Sequence, residues 1–418
     1  MMKVFLVIIG LIASIGTHLS AQTNSYAFTR NDEGWGLIDE QGQTVADFNY
    51  DVVFSPYMEY IFTYSDSRRL IFQPEEKLFK TRIRGKYGVV NINNEVQVPN
   101  EYEELSSFMD GYAIFYQDLK YGMVDTSGKL PFEPSRTEIL GYSEGKVLGK
   151  KGRKYGYLNI KGEVVIPLQY SNAGLFSEGL ASARSKDLFG YINHEGSWNL
   201  EPTYFSAERF IDGRAIVEAT SGWGVINRSG EFIIPPGYNH INRQENGFFR
   251  LENGGRWGFA DSTGHLIVPC SYEYIRNISE GTSIVKNGEQ RGLVNEKGEM
   301  IFYGLYEDIK DCKQGMVLVK KGDLWYFIRK DGTPLNDQGY TSASSFSEGL
   351  ARVKIGDKLG YINIYGELAI QPVFVNAYDF HCGLCRARKD DNWGYIDKHG
   401  KYVIEPVYRN VEDFFPLH

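Results

Sequence analysis

The chain has little cysteine, no excess of positive charge and no recognisable catalytic motif. Four cysteines in 418 residues are too few for a disulfide scaffold. With 45 basic and 53 acidic side chains the net charge is −8, so no basic surface is expected to neutralise a nucleic-acid backbone. No paired acids, Ser/His arrangement or phosphate loop stands out. We therefore expect no enzymatic activity, no cofactor, no bound metal and no nucleic-acid partner.

Long apolar runs are also absent, except at the amino terminus. Residues 1–21 are predicted to be a signal peptide, because Lys3 precedes a short apolar run at 4–16 and Ala21 offers a cleavage site. Thirteen apolar residues are too few to cross the roughly 30 Å hydrocarbon core comfortably, although an uncleaved anchor is the alternative. We expect an exported protein, periplasmic or extracellular, with no membrane span after signal removal.

Aromatic residues followed by glycine recur through the chain at a fixed spacing. From Tyr87 to Trp393 the separation is 306 residues, which is nine periods of 34, and Trp35 precedes Tyr87 by 52 residues. We call this residue position 0 of its repeat and count onward from it. Eleven copies are predicted, with position 0 at Trp35, Tyr87, Tyr121, Tyr155, Phe189, Trp223, Trp257, Arg291, Trp325, Leu359 and Trp393.

Four further positions keep the same period. Position 4 is Asp or Asn and position 7 is Gly in most copies, as in Asn193 with Gly196, which is the preferred chemistry of a type I turn. Position 15 is an aromatic ring in every copy except the one with Arg136. Position 24 is glycine in all nine copies from 111 to 383, which indicates that the backbone there needs positive φ or close approach.

Residues between these turns have the alternating, β-branched and aromatic character of strands. Strand A is expected around 180–184, strand B around 190–193 and strand C around 163–167, with equivalents in the other copies. Proline near the end of strand C, such as Pro167, is expected to terminate it. Each repeat is thus predicted to be a three-stranded antiparallel β-meander, followed by a loop that carries the position-15 ring.

The fold class predicted from this pattern is all-β, with about eleven tandem units in a curved or superhelical array spanning residues 22–418. A closed β-propeller is the alternative. It is disfavoured because propeller blades usually have four strands and about 40–50 residues, and because no orphan strand is evident at either end. A helical tetratricopeptide array is excluded, since no stretch of ten residues keeps a 3.6-residue period. Residues 51–78 form an irregular insertion, either an extra hairpin or a decayed half-repeat.

The repeats resemble the bacterial WG repeat. The segment 393–406, WGYIDKHGKYVIEP, carries the resemblance, together with the trailing element FSEGLA at 176–181. The resemblance covers nearly all of residues 24–418. It implies an exported all-β interaction repeat without a common enzymatic activity, and it supplies no catalytic residues to place on this sequence.

The segment 381–385, His-Cys-Gly-Leu-Cys, is the sharpest candidate for chemistry, because two cysteines at this spacing can bind metal or cycle as a dithiol. The repeat register argues otherwise, since Cys385 occupies the small core slot that Ala181 and Ala351 hold elsewhere. We favour structural filler or a local disulfide over metal or redox roles. The histidines share no common position, and turn capping explains the Asp and Asn ladder better than calcium does.

The aromatic rows are predicted to be core. A 34-residue unit cannot bury its own apolar face, so rings at positions 15 and 21 should pack between neighbouring repeats. Exposed rows can instead stack on sugars or anchor a protein partner. Binding residues are expected where the repeat phase breaks, which occurs at Arg136, Trp198, Arg291, Tyr303 and the insertion at 51–78.

The function predicted from these features is a non-enzymatic, exported scaffold that binds a protein partner at the cell envelope or outside it. The alternative is a cell-surface or cell-wall carbohydrate-binding module. Exposed aromatic rows along a groove would favour glycan, whereas a contiguous apolar patch would favour protein. The sequence does not identify the individual binding residues.

Overall fold

Strands make up all of the regular secondary structure in the part of the chain that the computed structural model describes. That part comprises residues 25–50, 52–54, 69–73, 78–91, 95–244 and 246–416. The all-β prediction is confirmed there, while the predicted signal peptide at 1–21 lies outside the described residues. Within these ranges no helix is long and apolar enough to cross a membrane.

The described strands are short and are numbered in chain order. The first group is β1 (Ser25–Arg30), β2 (Trp35–Asp39), β3 (Thr44–Tyr50), β4 (Val52–Phe54), β5 (Arg69–Gln73), β6 (Leu78–Ile83), β7 (Lys86–Asn91), β8 (Val96–Tyr102), β9 (Glu104–Leu105), β10 (Tyr112–Gln117), β11 (Lys120–Asp125), β12 (Glu138–Ser143), β13 (Lys146–Lys151), β14 (Lys154–Leu158), β15 (Val164–Tyr170), β16 (Asn172–Ala173), β17 (Ala181–Ser185), β18 (Leu188–Ile192), β19 (Trp198–Tyr204), β20 (Ser206–Ala207), β21 (Arg214–Ala219) and β22 (Gly222–Asn227). The second group is β23 (Phe232–Tyr238), β24 (His240–Arg243), β25 (Phe249–Asn253), β26 (Arg256–Ala260), β27 (Leu266–Tyr272), β28 (Tyr274–Ile275), β29 (Thr282–Asn287), β30 (Gln290–Asn295), β31 (Met300–Leu305), β32 (Asp308–Ile309), β33 (Met316–Lys321), β34 (Leu324–Arg329), β35 (Leu350–Ile355), β36 (Lys358–Asn363), β37 (Leu368–Phe374), β38 (Asn376–Ala377), β39 (Cys385–Lys389), β40 (Asn392–Ile396), β41 (Tyr402–Tyr408), β42 (Asn410–Val411) and β43 (Phe415–Pro416).

Each repeat forms one sheet, and the loop after strand C adds a further strand to the next sheet. In the repeat anchored at Phe189 the order is β16–β17–β18–β19, in which β17, β18 and β19 are the predicted strands A, B and C. Strand β16 has only two residues and lies in the segment predicted to be a loop. We call it the entry strand. Most of the eleven described sheets therefore have at least one strand more than the predicted three-stranded meander. The sheets β9–β10–β11, β32–β33–β34 and β35–β36–β37 have three strands.

The turn between strands B and C has the predicted Asx chemistry. The side-chain Oδ1 of Asn193 accepts hydrogen bonds from the backbone N–H groups of Glu195 and Ser197, at 3.1 and 3.0 Å. Gly196 closes the turn with a φ of 80°, a conformation that strains any residue with a β-carbon. The same double acceptance recurs at Asp39, Asp125, Asn159, Asn227, Asp261, Asn295, Asn363 and Asp397.

The glycine at position 1 is needed because strand C passes very close to strand B. A β-carbon built on Gly258 would lie 2.3 Å from the carbonyl oxygen of Val268. Pairing is irregular there: Trp257 pairs with Tyr272 and Phe259 with Val268, so strand C carries extra residues between them. The bulge presses the backbone of strand C onto the glycine, and only a residue without a side chain leaves room.

The predicted role of proline as the end of strand C is wrong. Pro167 lies inside β15, which continues to Tyr170 and pairs with Tyr155 there. Strand C is the edge of its sheet, and the proline falls in the bulge where no ladder pair forms. Because no partner needs the missing N–H, proline is tolerated and also protects the edge from pairing with other chains.

The apolar core lies between successive sheets, as predicted for the aromatic rows. One cluster joins Tyr157 and Ile166 of one repeat to Ala183 and Ile192 of the next. Phe176 at position 21, with 2% of its surface exposed, contacts the Tyr157 ring at a centroid distance of 4.8 Å. A sheet of this size cannot bury both faces alone, so each interface between sheets is a separate small core.

A buried tyrosine hydroxyl crosses each of several interfaces. Tyr191, at position 2, is fully buried, and its hydroxyl donates a 2.7 Å hydrogen bond to the carbonyl oxygen of Glu208 on the next repeat. Burial raises the pKa of this phenol well above its ordinary value, so it stays protonated and a donor. Equivalent bonds join Tyr157 to Gly174, Tyr361 to Tyr378 and Tyr395 to Glu412.

Removing the Tyr191 hydroxyl tests this link between sheets. We expect Tyr191→Phe to lower the free energy of unfolding by about 1–2 kcal/mol, because the Glu208 carbonyl loses its partner in a buried site. Urea denaturation measures the change. Tyr365→Phe is the matched control and should be neutral, since 72% of that side chain is exposed. Equal stability of the two variants would contradict the proposed contribution of the hydroxyl.

The preference for an open array is corrected by the two ends of the chain. The entry strand that follows the last strand C, β42, has no later repeat to join and pairs instead with β1, with Thr29 opposite Val411. Strand β43 also pairs with β1, so β1, β2, β3, β42 and β43 form one sheet. The eleven sheets therefore close into a ring that resembles a β-propeller, the arrangement first disfavoured.

Side-chain packing supports the same closure. The Phe28 and Phe415 rings, both with no exposed surface, lie 5.5 Å apart between centroids. A β-carbon built on Gly42 of the first repeat would lie 3.4 Å from Cγ2 of Ile404 in the last. The corresponding glycine of an interior repeat, Gly196, approaches Ile166 of the repeat before it in the same way. The first and last sheets thus meet as any two neighbours do.

The insertion at 51–78 contributes strands to the second sheet. Strand β4 lies parallel to β5, with Val53 opposite Leu70, and β5 pairs antiparallel with β6. In this five-stranded sheet β5 takes the place of the entry strand beside strand A. The remaining residues of the insertion lie outside the described part of the chain.

Candidate binding sites

The positions predicted to break the repeat phase do not form one site. Arg136 is exposed just before β12. Trp198 begins β19 and packs edge-on against Tyr170 of the preceding repeat, at a centroid distance of 5.7 Å, so most of its ring serves the core. Only Arg291 and Tyr303 share a sheet, on β30 and β31.

Arg291 and Tyr303 adjoin a feature that the sequence analysis did not identify. The Arg291 guanidinium donates a hydrogen bond to the carbonyl oxygen of Tyr306, and the Tyr303 ring covers Gly292. Tyr306, at position 15, is only half-buried and faces a cavity shared with the repeat anchored at Trp325.

The two cysteines of the segment 381–385 lie in different surroundings. All four cysteines are free thiols, and Cys385 occupies the core slot that the register predicts, with 1% of its surface exposed. Its Sγ lies 3.0 Å from the Tyr361 hydroxyl, and burial raises the pKa of the thiol to about 12. Cys382 sits in the turn at a φ of 53°. The filler interpretation is confirmed for Cys385, and the local disulfide is not formed.

Acidic residues at position 23 serve the fold. The Glu178 carboxylate accepts a 2.9 Å hydrogen bond from the backbone N–H of Gly213 in the next repeat. Burial alone would raise the pKa of Glu280, but N–H donors from Gly315 and Gln314 outweigh it and hold the pKa below its usual value. Equivalent bonds join Glu144 to Gly179, Glu348 to Gly383 and, through an amide, Gln314 to Gly349.

A polar cavity of about 540 Å³ adjoins Glu280, and Glu296, Lys297 and Lys330 are among its charged lining residues. The Glu280 carboxylate accepts hydrogen bonds from the turn of the next repeat. The position of Glu280 is therefore explained by the joining of adjacent sheets.

Exposed apolar side chains recur at position 9, where strand C begins. Val96 and Val164 expose 64% and 57% of their surface. Position 9 is apolar in ten of eleven repeats. Because many of these side chains are exposed, packing in the core does not explain why they are apolar. We call the seven large apolar side chains that are exposed at this position the apolar band: Val96, Leu130, Val164, Phe232, Leu266, Met300 and Leu368.

Carboxylates flank the apolar band in alternate repeats. Glu163 at position 8 accepts a 2.7 Å hydrogen bond from the Asn159 side-chain amide, and Glu231 is held by Asn227 in the same way at 2.8 Å. This hydrogen bond lowers the pKa of Glu231, so the group is ionised at neutral pH. The band therefore combines apolar contacts with fixed negative charge.

A second cavity lies where one repeat lacks its strand C. Position 1 of that repeat is Tyr326 instead of glycine. Its sheet has only β32, β33 and β34, and the following segment touches β34 at two isolated pairs, Ile328 with Pro334 and Trp325 with Tyr340. Because a side chain at position 1 blocks the close approach of strand C, the segment between these pairs bends outward. The space beneath it is about 510 Å³.

The lining of this cavity combines rings with polar groups. Tyr306 and Tyr326 are half-buried, while Val319 and Phe327 close the base. The Asn336 side chain is held at the mouth, since its Oδ1 accepts from the backbone N–H of Gln338 and its Nδ2 donates to the Gly366 carbonyl. Other lining residues include Lys321, Pro334 and Asp337. The other described sheet without a strand C has no such space beside its glycine, because the Phe115 ring fills it against Gly122.

Comparison with known families gives one match that covers most of the chain. The WG containing repeat matches ten segments, at residues 35–60, 87–121, 155–188, 189–219, 223–257, 257–290, 292–325, 339–358, 360–393 and 393–415. No curated protein matches the chain in sequence.

Several solved structures are similar to the chain at low sequence identity. A eukaryotic initiation factor structure is 11% identical and has a TM-score of 0.43, covering 76% of this chain and 96% of its own. Hsv2p of Kluyveromyces lactis is 8% identical with a TM-score of 0.34, and the match covers 56% of this chain and 96% of that one. The extracellular domain of a putative hybrid two component system from B. thetaiotaomicron is 10% identical with a TM-score of 0.28; the match covers 92% of this chain and 64% of that domain.

Proposed function

Since the chain belongs to the WG containing repeat family, we propose that it is a non-enzymatic binding scaffold, exported from the cell, whose closed ring presents the apolar band to a protein partner. The single observation that carries the proposal is the recurrence of exposed apolar side chains at position 9. Export rests on the predicted signal peptide at 1–21.

The chemistry of the apolar band defines its partner. Phe232, Leu266 and Met300 begin strand C in three consecutive sheets, and each exposes 39–42% of its surface. Such an array suits a partner that covers several repeats at once, because one isolated apolar side chain contributes little binding energy. The fixed carboxylates of Glu231 and Glu299 beside these residues favour a protein surface with basic residues among its apolar ones.

Removing apolar side chains from the band tests this proposal. The triple variant Phe232→Ser, Leu266→Ser, Met300→Ser should lose at least about tenfold in affinity for a protein that the wild type retains from envelope extract, because apolar contacts at the centre of an interface dominate binding. Affinity is measured with the purified partner by biolayer interferometry. The same preparations are also assayed with a panel of hydrolase substrates. We expect no activity that is present in the wild type and lost in the triple variant.

A matched control uses the opposite end of strand C. Leu305, Val373 and Val407 are more exposed than Phe232, Leu266 and Met300, with 66%, 60% and 62% of their surface accessible. Replacing all three by serine should leave the affinity unchanged. Equal retention by the two triple variants, or loss only in the control, would show that the partner does not bind at the apolar band.

A further inference from the structure

We propose that the cavity beneath residues 334–340 is a binding site for a neutral saccharide ring. This inference goes beyond the apolar band and does not depend on it. Tyr326 stands where the other ten repeats have glycine, and its ring lines the cavity that the missing strand C leaves. A repeat that had merely decayed would be expected to fill the space, as Phe115 does beside Gly122.

The size of the site fits one or two sugar rings. A volume of about 510 Å³ lies within the range of about 300–1,000 Å³ found for small-ligand pockets. Gly339, in the segment above the cavity, packs closely against the edge of the Tyr326 ring, since a β-carbon built there would lie 2.9 Å from it. Tyr306 is likewise held, with its ring 5.7 Å from that of Phe302. Fixed aromatic rings need no ordering when an apolar sugar face stacks on them.

Polar groups at the mouth match hydroxyl groups better than a charged ligand. Asn336 supplies an amide that is already oriented by hydrogen bonds, and an amide can both donate to and accept from hydroxyls. Lys321 and Asp337 bring opposite charges to the same cavity. An anion such as phosphate would be attracted by one and repelled by the other. A neutral polyhydroxylated ring can stack on the aromatic walls and form hydrogen bonds with the polar groups at the mouth.

Titration of the purified protein with neutral trisaccharides tests the proposal. The probes are chitotriose, cellotriose, maltotriose, mannotriose and xylotriose, with a heparin oligosaccharide as the charged comparison. We expect at least one neutral probe to bind with a Kd between about 10 µM and 1 mM by isothermal calorimetry. Tyr326→Ala should weaken this binding at least about tenfold, since it removes the stacking surface. Asn336→Ala removes the amide at the mouth and should also weaken the binding, and circular dichroism checks that this variant is folded.

Tyr365→Ala is the matched control, because that tyrosine is 72% exposed in the next repeat and lies outside the cavity. It should bind the probe as the wild type does. The triple variant in the apolar band should also bind the probe as the wild type does. This comparison distinguishes a wrong proposal for the cavity from a wrong proposal for the apolar band. The proposal is overturned if no neutral probe binds at millimolar concentration, if only heparin binds, or if Tyr326→Ala, folded by circular dichroism, binds as well as Tyr365→Ala.

Discussion

Replacing Gly258 by alanine will lower the free energy of unfolding by at least about 3 kcal/mol. The new methyl group would lie 2.3 Å from the carbonyl oxygen of Val268 and 2.7 Å from the carbonyl carbon of Pro269. Both are backbone atoms, so strands B and C must separate to accommodate it. The loss outweighs the roughly 0.4–1 kcal/mol that alanine gains over glycine by restricting the unfolded chain. Urea denaturation of both proteins measures the difference.

Gly304→Ala is the matched control for this prediction. Gly304 also lies in a strand, but a β-carbon there would meet the Tyr306 ring at 3.2 Å, and a side chain can shift. We expect its unfolding free energy to stay within about 1 kcal/mol of the wild type. If Gly258→Ala and Gly304→Ala are equally stable, the close approach of strand C is not what fixes the position-1 glycine.

Removal of residues 409–418 will destabilise the ring more than any single surface substitution. The deletion takes away β42 and β43 together with Phe414 and Phe415, both buried. Replacing one buried phenylalanine by alanine costs about 3–5 kcal/mol, so the truncated chain should lose at least that much. The edge of β1 is then unpaired, and unfolding should begin there and spread over a broader urea range.

A point variant distinguishes the effect of losing ring closure from other effects of shortening the chain. Phe415→Ala should cost about 3–5 kcal/mol, because its ring packs against Phe28 of the first strand. Phe205→Ala, with 53% of the ring exposed, should cost less than about 1 kcal/mol. An unchanged urea midpoint for Phe415→Ala, or a truncated chain that unfolds as sharply as the wild type, would contradict closure through the carboxyl terminus.

Much of this fold could be predicted because its repeated residues report backbone geometry. Asn193 and Gly196 identify a turn whether or not the rest of the chain is known, since the side-chain acceptor and the positive φ are local requirements. The position-21 rings were predictable as core for a similar reason, because a small sheet must be covered by its neighbours.

The entry strands were not predictable in the same way. Two residues such as Asn172 and Ala173 show no alternation, so they are indistinguishable from a loop. The signal was a small or apolar residue at position 18 in every repeat from Leu105 onward, and it persists at Val411 after the last strand C. At the end of the chain that residue marks the strand that pairs with β1 and closes the ring, and its omission led to the preference for an open array.

The candidate site depends on distances that no sequence pattern expresses. Tyr326 is visible as a departure from glycine, but its consequence follows only from how near strand C passes to strand B in other repeats. Arg291 and Tyr303 were predicted as binding residues, and they lie in the sheet beside the cavity, where Arg291 donates to the carbonyl oxygen of the lining residue Tyr306. Their role in binding stays a prediction, and the shape of the cavity follows from the backbone.

The pairing of β1 with β43 also makes the order of the repeats along the chain arbitrary. Ser25 lies opposite Pro416, so the two ends of the described ring are neighbours within one sheet. A short linker between them, with a new opening in any exposed turn, would retain every strand pair and every interface. The ring is thus suited to circular permutation, and to insertion into a surface loop of another protein, because it begins and ends at the same place.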